Sequence, residues 1–147
     1  MTRNRYFLLF GFLAVAACTA PIIYNGISFG DDSSQWSGDG ECDDPRFVGG
    51  GMAYDLDTDD IQRDASDCLR LYQAQRIRLV RTRAQWSTSQ CREVRFGNNS
   101  SSYARDGECD DPRFTGPGTD SILLGGDRMK DAADCRALCS AGSVWIR

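Results

Sequence analysis

Asp39-Gly40-Glu41-Cys42-Asp43-Asp44-Pro45-Arg46-Phe47 recurs without change as Asp106-Gly107-Glu108-Cys109-Asp110-Asp111-Pro112-Arg113-Phe114. This nonapeptide is the centre of a longer duplication. Residues 29–79 align with 96–146 at a constant offset of 67, without a gap, and 23 of the 51 positions are identical. The kept residues are mostly Asp, Gly, Cys and Phe rather than a generic apolar pattern. The chain is therefore two copies of one small unit, and the unit needs those residues.

Each copy reads as hairpin, loop, helix, strand. Ile27-Ser28-Phe29-Gly30 and Val94-Arg95-Phe96-Gly97 end in short strands. Asp-Gly is a favoured dipeptide of tight hairpin turns, which places one at Asp39-Gly40 and one at Asp106-Gly107. Trp36 and Tyr103 stand at matching positions before that turn and are expected in the core, with Trp145. Pro45 and Pro112, followed by Gly49-Gly50-Gly51 and Gly116-Pro117-Gly118, continue as loop. Apolar spacing at Ala65, Cys68, Leu69 and Tyr72, and at Ala132, Cys135, Leu138 and Cys139, suits one helical face. Arg76–Val80 and Ser143–Ile146 alternate as strands. The sum is a small α+β, disulfide-stabilised tandem repeat with pseudo-twofold symmetry: repeat 1 over 29–80, a basic connector over 81–95 and repeat 2 over 96–147, with 29–147 forming one structural domain.

The first residues carry Arg3 and Arg5 before an apolar run from Tyr6 to Ala17, the layout of a signal peptide. The run ends in Val15-Ala16-Ala17-Cys18, which resembles the lipobox of bacterial lipoproteins. That resemblance covers residues 1–18. It implies removal of 1–17, acylation of Cys18 and attachment to the membrane through the N-terminal lipid. Thr19 stands where an Asp would mark inner-membrane retention, so the resemblance points to the outer membrane and a body in the periplasm. The alternative is an ordinary secretory signal cut after Ala14-Val15-Ala16. Residues 18–28 are then the lipidated Cys18 and a tether, which spans at most about 35 Å when extended.

Seven cysteines less Cys18 leave six, an even set that reads as three disulfides in an exported chain. The duplication favours Cys42–Cys68 with Cys109–Cys135. Cys91 and Cys139, which have no cysteine counterparts, then pair and bolt the halves together. Pairings swapped between copies also respect the symmetry.

Without the first 17 residues the chain has 15 basic and 21 acidic residues, a net charge of −6. Copy one carries −7, copy two −3, and the connector +3. An acidic body argues against nucleic acid as a partner.

If Cys42 bonds Cys68, the motif acids Glu41, Asp43 and Asp44 approach Asp67 and its neighbour Asp64. Glu108, Asp110, Asp111 and Asp134 do the same with Asp131. Crowded carboxylates need a cation or hydrogen bonds, and calcium takes about 6–8 oxygens. These residues are thus candidate Ca²⁺ ligands. The Asp-Gly and Asp-x-x-Asp-Cys steps resemble those of acidic calcium modules such as LDL-receptor class A and Notch-type repeats. This chain departs from them in having two cysteines per unit and an Arg inside the motif, so no ligand is carried over. The competing reading is scaffold. Asp64 with Asp67, and Asp131 with Asp134, have N-cap and N3 spacing. Arg46 and Arg113 can neutralise neighbouring acids. Asp31-Asp32 becomes Asn98-Asn99, so those positions need oxygen or a turn former rather than charge.

The unit also resembles a repeat of exported alphaproteobacterial proteins, sometimes appended to trypsin-like peptidases. That resemblance covers 29–79 and 96–146 and implies location and modularity, not an activity. Histidine is absent, which removes Ser-His-Asp and Cys-His arrangements and His-ligated zinc. Both copies keep the same acids, whereas a catalytic site usually occurs once. The expectation is a non-enzymatic module that meets an envelope protein or a cell-wall component, with Trp86 in the connector as its exposed anchor. The alternatives are a calcium-binding module, and a protease inhibitor or accessory with 47–58 as its reactive loop.

Overall fold

In the computed structural model, which describes residues 20–147, Leu56 lies opposite Leu123 in an antiparallel pair. The two leucines are equivalent positions of the two copies, 67 residues apart. A strand pair that sets a residue against its own equivalent places the pseudo-twofold axis between them. Strands β4 (Leu56–Asp57) and β7 (Ile122–Leu123) make that pair. The remaining elements are arranged around it: β1 (Ile22–Tyr24), β2 (Ile27–Gly30), β3 (Phe47–Gly49), α1 (Ala65–Gln73) and β5 (Ile77–Leu79), then β6 (Phe114–Thr115), α2 (Ala132–Ala141) and β8 (Trp145–Ile146). Every sheet is two-stranded and antiparallel: β1–β2, β3–β5, β4–β7 and β6–β8. The protein is thus an α+β tandem repeat. Among the described residues no helix is long and apolar enough to cross a membrane.

Each copy has its own small core. Phe29, Phe47, Leu71 and Ile77 surround the Cys42–Cys68 disulfide in copy one. Phe96, Phe114 and Val144 surround Cys109–Cys135 in copy two. The paired phenylalanines stack at 5.3 and 5.6 Å, and Arg46 and Arg113 each lie over the following ring at 5.6 Å. A core this small needs staples. By chain entropy, each disulfide with its separation of 26 residues contributes about 3–4 kcal/mol.

Several expectations need correcting. The Asp-Gly steps do not turn a hairpin. Cys42 and Cys109 form only isolated parallel bridges, to Met52 and Thr119, and residues 35–41 wind through turns instead. The hairpin lies upstream, inside the segment read as tether. Asn25-Gly26, both at positive φ, turns β1 into β2, and Ile22 and Ile27 pack on copy one's core. Val94–Gly97 is not a strand.

The third disulfide, Cys91–Cys139, does not bolt the halves together. Both cysteines lie in copy two's core, so the bond fastens the connector to copy two. The halves are joined by the β4–β7 pair, by the Gly125 N–H, which donates to Asp55 Oδ1 at 2.8 Å, and by Arg147, whose guanidinium donates to the carbonyls of Pro45 at 2.6 Å, Phe47 at 2.7 Å and Pro112 at 3.3 Å. Cys18 and the signal segment 1–17 lie outside the described residues.

Candidate functional site

The helix starts are capped from a distance. Ser66 N–H donates to Asp32 Oδ1, and Ala133 N–H to Asn99 Oδ1, at 2.8 and 2.7 Å. The amide carbonyl of Asn99 does in copy two what a carboxylate does in copy one, so these positions need an oxygen. The expected N-caps Asp64 and Asp131 make no side-chain cap bond. Each is buried and accepts instead from the motif backbone, Asp43 N–H at 2.9 Å and Asp110 N–H at 3.0 Å. Asp67 accepts from Gly38 N–H, Gly40 N–H and Arg70. Asp134 accepts from Arg105 N–H.

Asp44 and Asp111 are saturated. Each pairs with the Arg two residues on, through Nε and Nη2. Each also accepts a backbone N–H, from Gln62 and Met129 respectively. Four of the ten candidate calcium ligands, Asp44, Asp67, Asp111 and Asp134, are therefore committed to scaffold bonds. Glu41 and Glu108 are exposed.

Two acid pairs remain, Asp43 with Asp64 and Asp110 with Asp131. All four residues are buried, and Asp43 Oδ2, Asp64 Oδ1, Asp110 Oδ2 and Asp131 Oδ1 have no hydrogen-bond partner. Burial, then the charges of Asp64, Asp39, Asp60 and Glu41, push Asp43 up to about 7. Burial also raises Asp64 to about 6, against the pull of the Asp43 N–H. Burial, with Asp106, Asp131 and Asp120, takes Asp110 up to about 7, and burial raises Asp131. Asp64 and Asp131 have the sequence spacing of caps, but the disulfides bring them against Asp43 and Asp110 instead.

In each copy the two half-cystine sulfurs and the Asp64 or Asp131 carboxylate come within 4.8 Å of one another, a grouping that could in principle hold a divalent ion. While bonded to each other the sulfurs carry no thiolate charge, so in the oxidised protein the carboxylate pair supplies the attraction.

The expected anchors exchange places. Trp86 is 8 % exposed and belongs to copy two's core, beside Cys91, whereas Trp36 and Tyr103 are about half exposed. The indole of Trp145 is half-buried and donates to the Arg81 carbonyl. Segment 47–58 is held at both ends by strand pairing, β3 to β5 and β4 to β7. Tyr54 stands out from it, 71 % exposed.

Trp36, Tyr54 and, from the other copy, Ile122 border a groove of about 390 Å³. Asp39, Glu41, Asp43, Asp55, Asp57 and Asp60 also line it, and no basic residue does. Copy two has Ser121, Ile122 and Leu124 where copy one has Tyr54, Asp55 and Asp57. The groove is therefore a feature of copy one. Comparison with family models, curated proteins and solved structures gives no match to this chain.

Proposed function

We propose that the chain is a non-catalytic lipoprotein of the cell envelope, anchored in the outer membrane through Cys18, whose repeat body binds an envelope protein or cell-wall component in the periplasm. The observation that carries the binding role is the groove beside Trp36 and Tyr54, since large exposed aromatics gathered in one concave patch are characteristic of binding surfaces. Support for the anchor is the lipobox-like Val15-Ala16-Ala17-Cys18. The absence of histidine and the repetition of every motif acid weigh against catalysis.

The test has two arms in cells. Cys18→Ala should release the chain from the membrane fraction. A photoreactive residue in place of Tyr54 should give a discrete crosslinked product that the same residue at Tyr103 does not. Retention of the Cys18→Ala chain in membranes would sink the anchor, and equal or absent crosslinking at both positions would sink the binding role.

A calcium-dependent fold is the second reading, favoured by the unpartnered carboxylate oxygens repeated in both copies. It predicts that millimolar calcium raises the melting midpoint, that EDTA removes the rise, and that Asp43→Asn/Asp110→Asn abolishes it. An unchanged midpoint excludes it.

A further inference from the structure

We infer that the groove of copy one receives a lysine or arginine side chain from a basic protein segment. The inference rests on the binding role proposed above and names its partner's chemistry. Three features of the groove converge on a cation. Six carboxylates and no basic residue line it, and none of the six has an ion pair among the described residues, where the ion pairs are those of Asp44, Asp67 and Asp111. Asp43, which lines it, is 6 % exposed and holds an oxygen without any partner. Two exposed aromatic faces, Trp36 and Tyr54, border it.

A buried carboxylate without a donor is costly, and a charged donor is the group that relieves it most. Indole and phenol rings attract the same cation through their faces. A bare ion would use the carboxylates and leave the aromatics idle. A long cationic side chain uses both, laying its alkyl stem along the rings. The volume of about 390 Å³ is at the small end of ligand pockets and fits one such side chain better than a folded surface.

Proton linkage supports the assignment. Burial first, and then the charges of Asp64, Asp39, Asp60 and Glu41, push Asp43 up to about 7. A bound cation favours the ionised form, so binding should release a proton and tighten as pH rises from 6 to 8.

The test is calorimetric titration of the oxidised chain 19–147 with Gly-Gly-Arg-Gly-Gly and Gly-Gly-Lys-Gly-Gly, acetylated and amidated, and with the Gln peptide as neutral control. We expect binding of the cationic peptides only, weakened at least tenfold by Asp43→Asn and by Tyr54→Ala. Asp110→Asn and Tyr103→Ala should leave it within twofold. Tyr54→Ala is a surface change, so a loss there with an unchanged melting midpoint is a loss of binding rather than of fold. Equal binding of the Gln peptide, equal weakening by Asp110→Asn, or displacement of peptide by stoichiometric calcium would each overturn the assignment. So would absence of binding. If a crosslinked partner appears at Tyr54 while no cationic peptide binds, the binding role stands and its chemistry as stated here is wrong.

Discussion

Tyr24 and Tyr72 of copy one occupy the positions of Cys91 and Cys139 in copy two, at the same offset of 67. In copy one the rings meet edge to face at 6.5 Å, and Tyr72 also packs on Phe29 and Phe47. In copy two a covalent bond does that work. The two solutions hold the same thing: the segment that enters each copy and covers its helix. The two segments are built differently, a hairpin strand in copy one and a short 3-10 helix in copy two, and share almost no sequence. Positions that the copies keep identical, such as Asp44 and Asp111, build the scaffold. Positions where they diverge, such as Tyr54 and Ser121, decide what each copy can do.

The largest effect should come from breaking a shared element. Asp44→Ala strands Arg46 and the Gln62 N–H, and should cost about 3–5 kcal/mol in denaturant melts. Asp111→Ala should cost the same within error, because its partners are equivalent. A large difference would mean that the copies are not energetically alike.

Next is the tyrosine–cystine exchange. Cys91→Ser/Cys139→Ser should lose about 2–4 kcal/mol. If Tyr24 and Tyr72 are the true counterparts, Tyr24→Cys/Tyr72→Cys should oxidise to a fourth disulfide, detected as loss of two free thiols. Thiols that stay free would break the equivalence.

The acid pairs predict an unusual pH dependence. A carboxyl whose pKa is raised on folding binds more protons folded than unfolded, so stability falls as pH rises through the interval. For Asp43 and Asp110 that interval runs from the ordinary value of 3.8 to about 7. The chain should be more stable at pH 5 than at pH 8. Asp43→Asn/Asp110→Asn should flatten that slope and raise the midpoint at pH 8. Asp31 and Asp67, lowered by their hydrogen bonds, act in the opposite sense below the ordinary value. A midpoint that rises from pH 5 to pH 8 would contradict the account.

The smallest effect is local. Arg105 sits at φ 74°, where copy one has Gly38 at φ 90°. Arg105→Gly should be neutral or stabilising by up to about 1 kcal/mol, since a side chain is strained there.

Much of the framework is visible in the chain itself. Helical spacing around Cys68 and Cys135 leads to α1 and α2, and alternation at 77–79 and 145–146 leads to β5 and β8. The Asn25-Gly26 turn signal, flanked by isoleucines, is equally present, but it lies between the lipobox-like segment and the first repeat, where no second copy reinforces it. Trp36 and Trp86 could not be sorted by composition. Burial of an aromatic depends on which segment the Cys91–Cys139 bond draws inward, and Trp86 lies on the drawn segment. Asp64 has the spacing of a cap, but helix capping is supplied from Asp32, some thirty residues earlier in the chain, which no local pattern reveals. The groove arises only where β4 meets β7, so none of its residues advertises it alone.

The most direct test of the claim that the copies share a scaffold while copy one carries the site is a ¹⁵N correlation spectrum during titration with the arginine peptide. The account predicts that, of the three tryptophan indole signals, Trp36 moves while Trp86 and Trp145 stay. Backbone shifts should gather at 35–60 and near Ile122. Equal shifts around Tyr103 and Asp110, or none at Trp36, would contradict it.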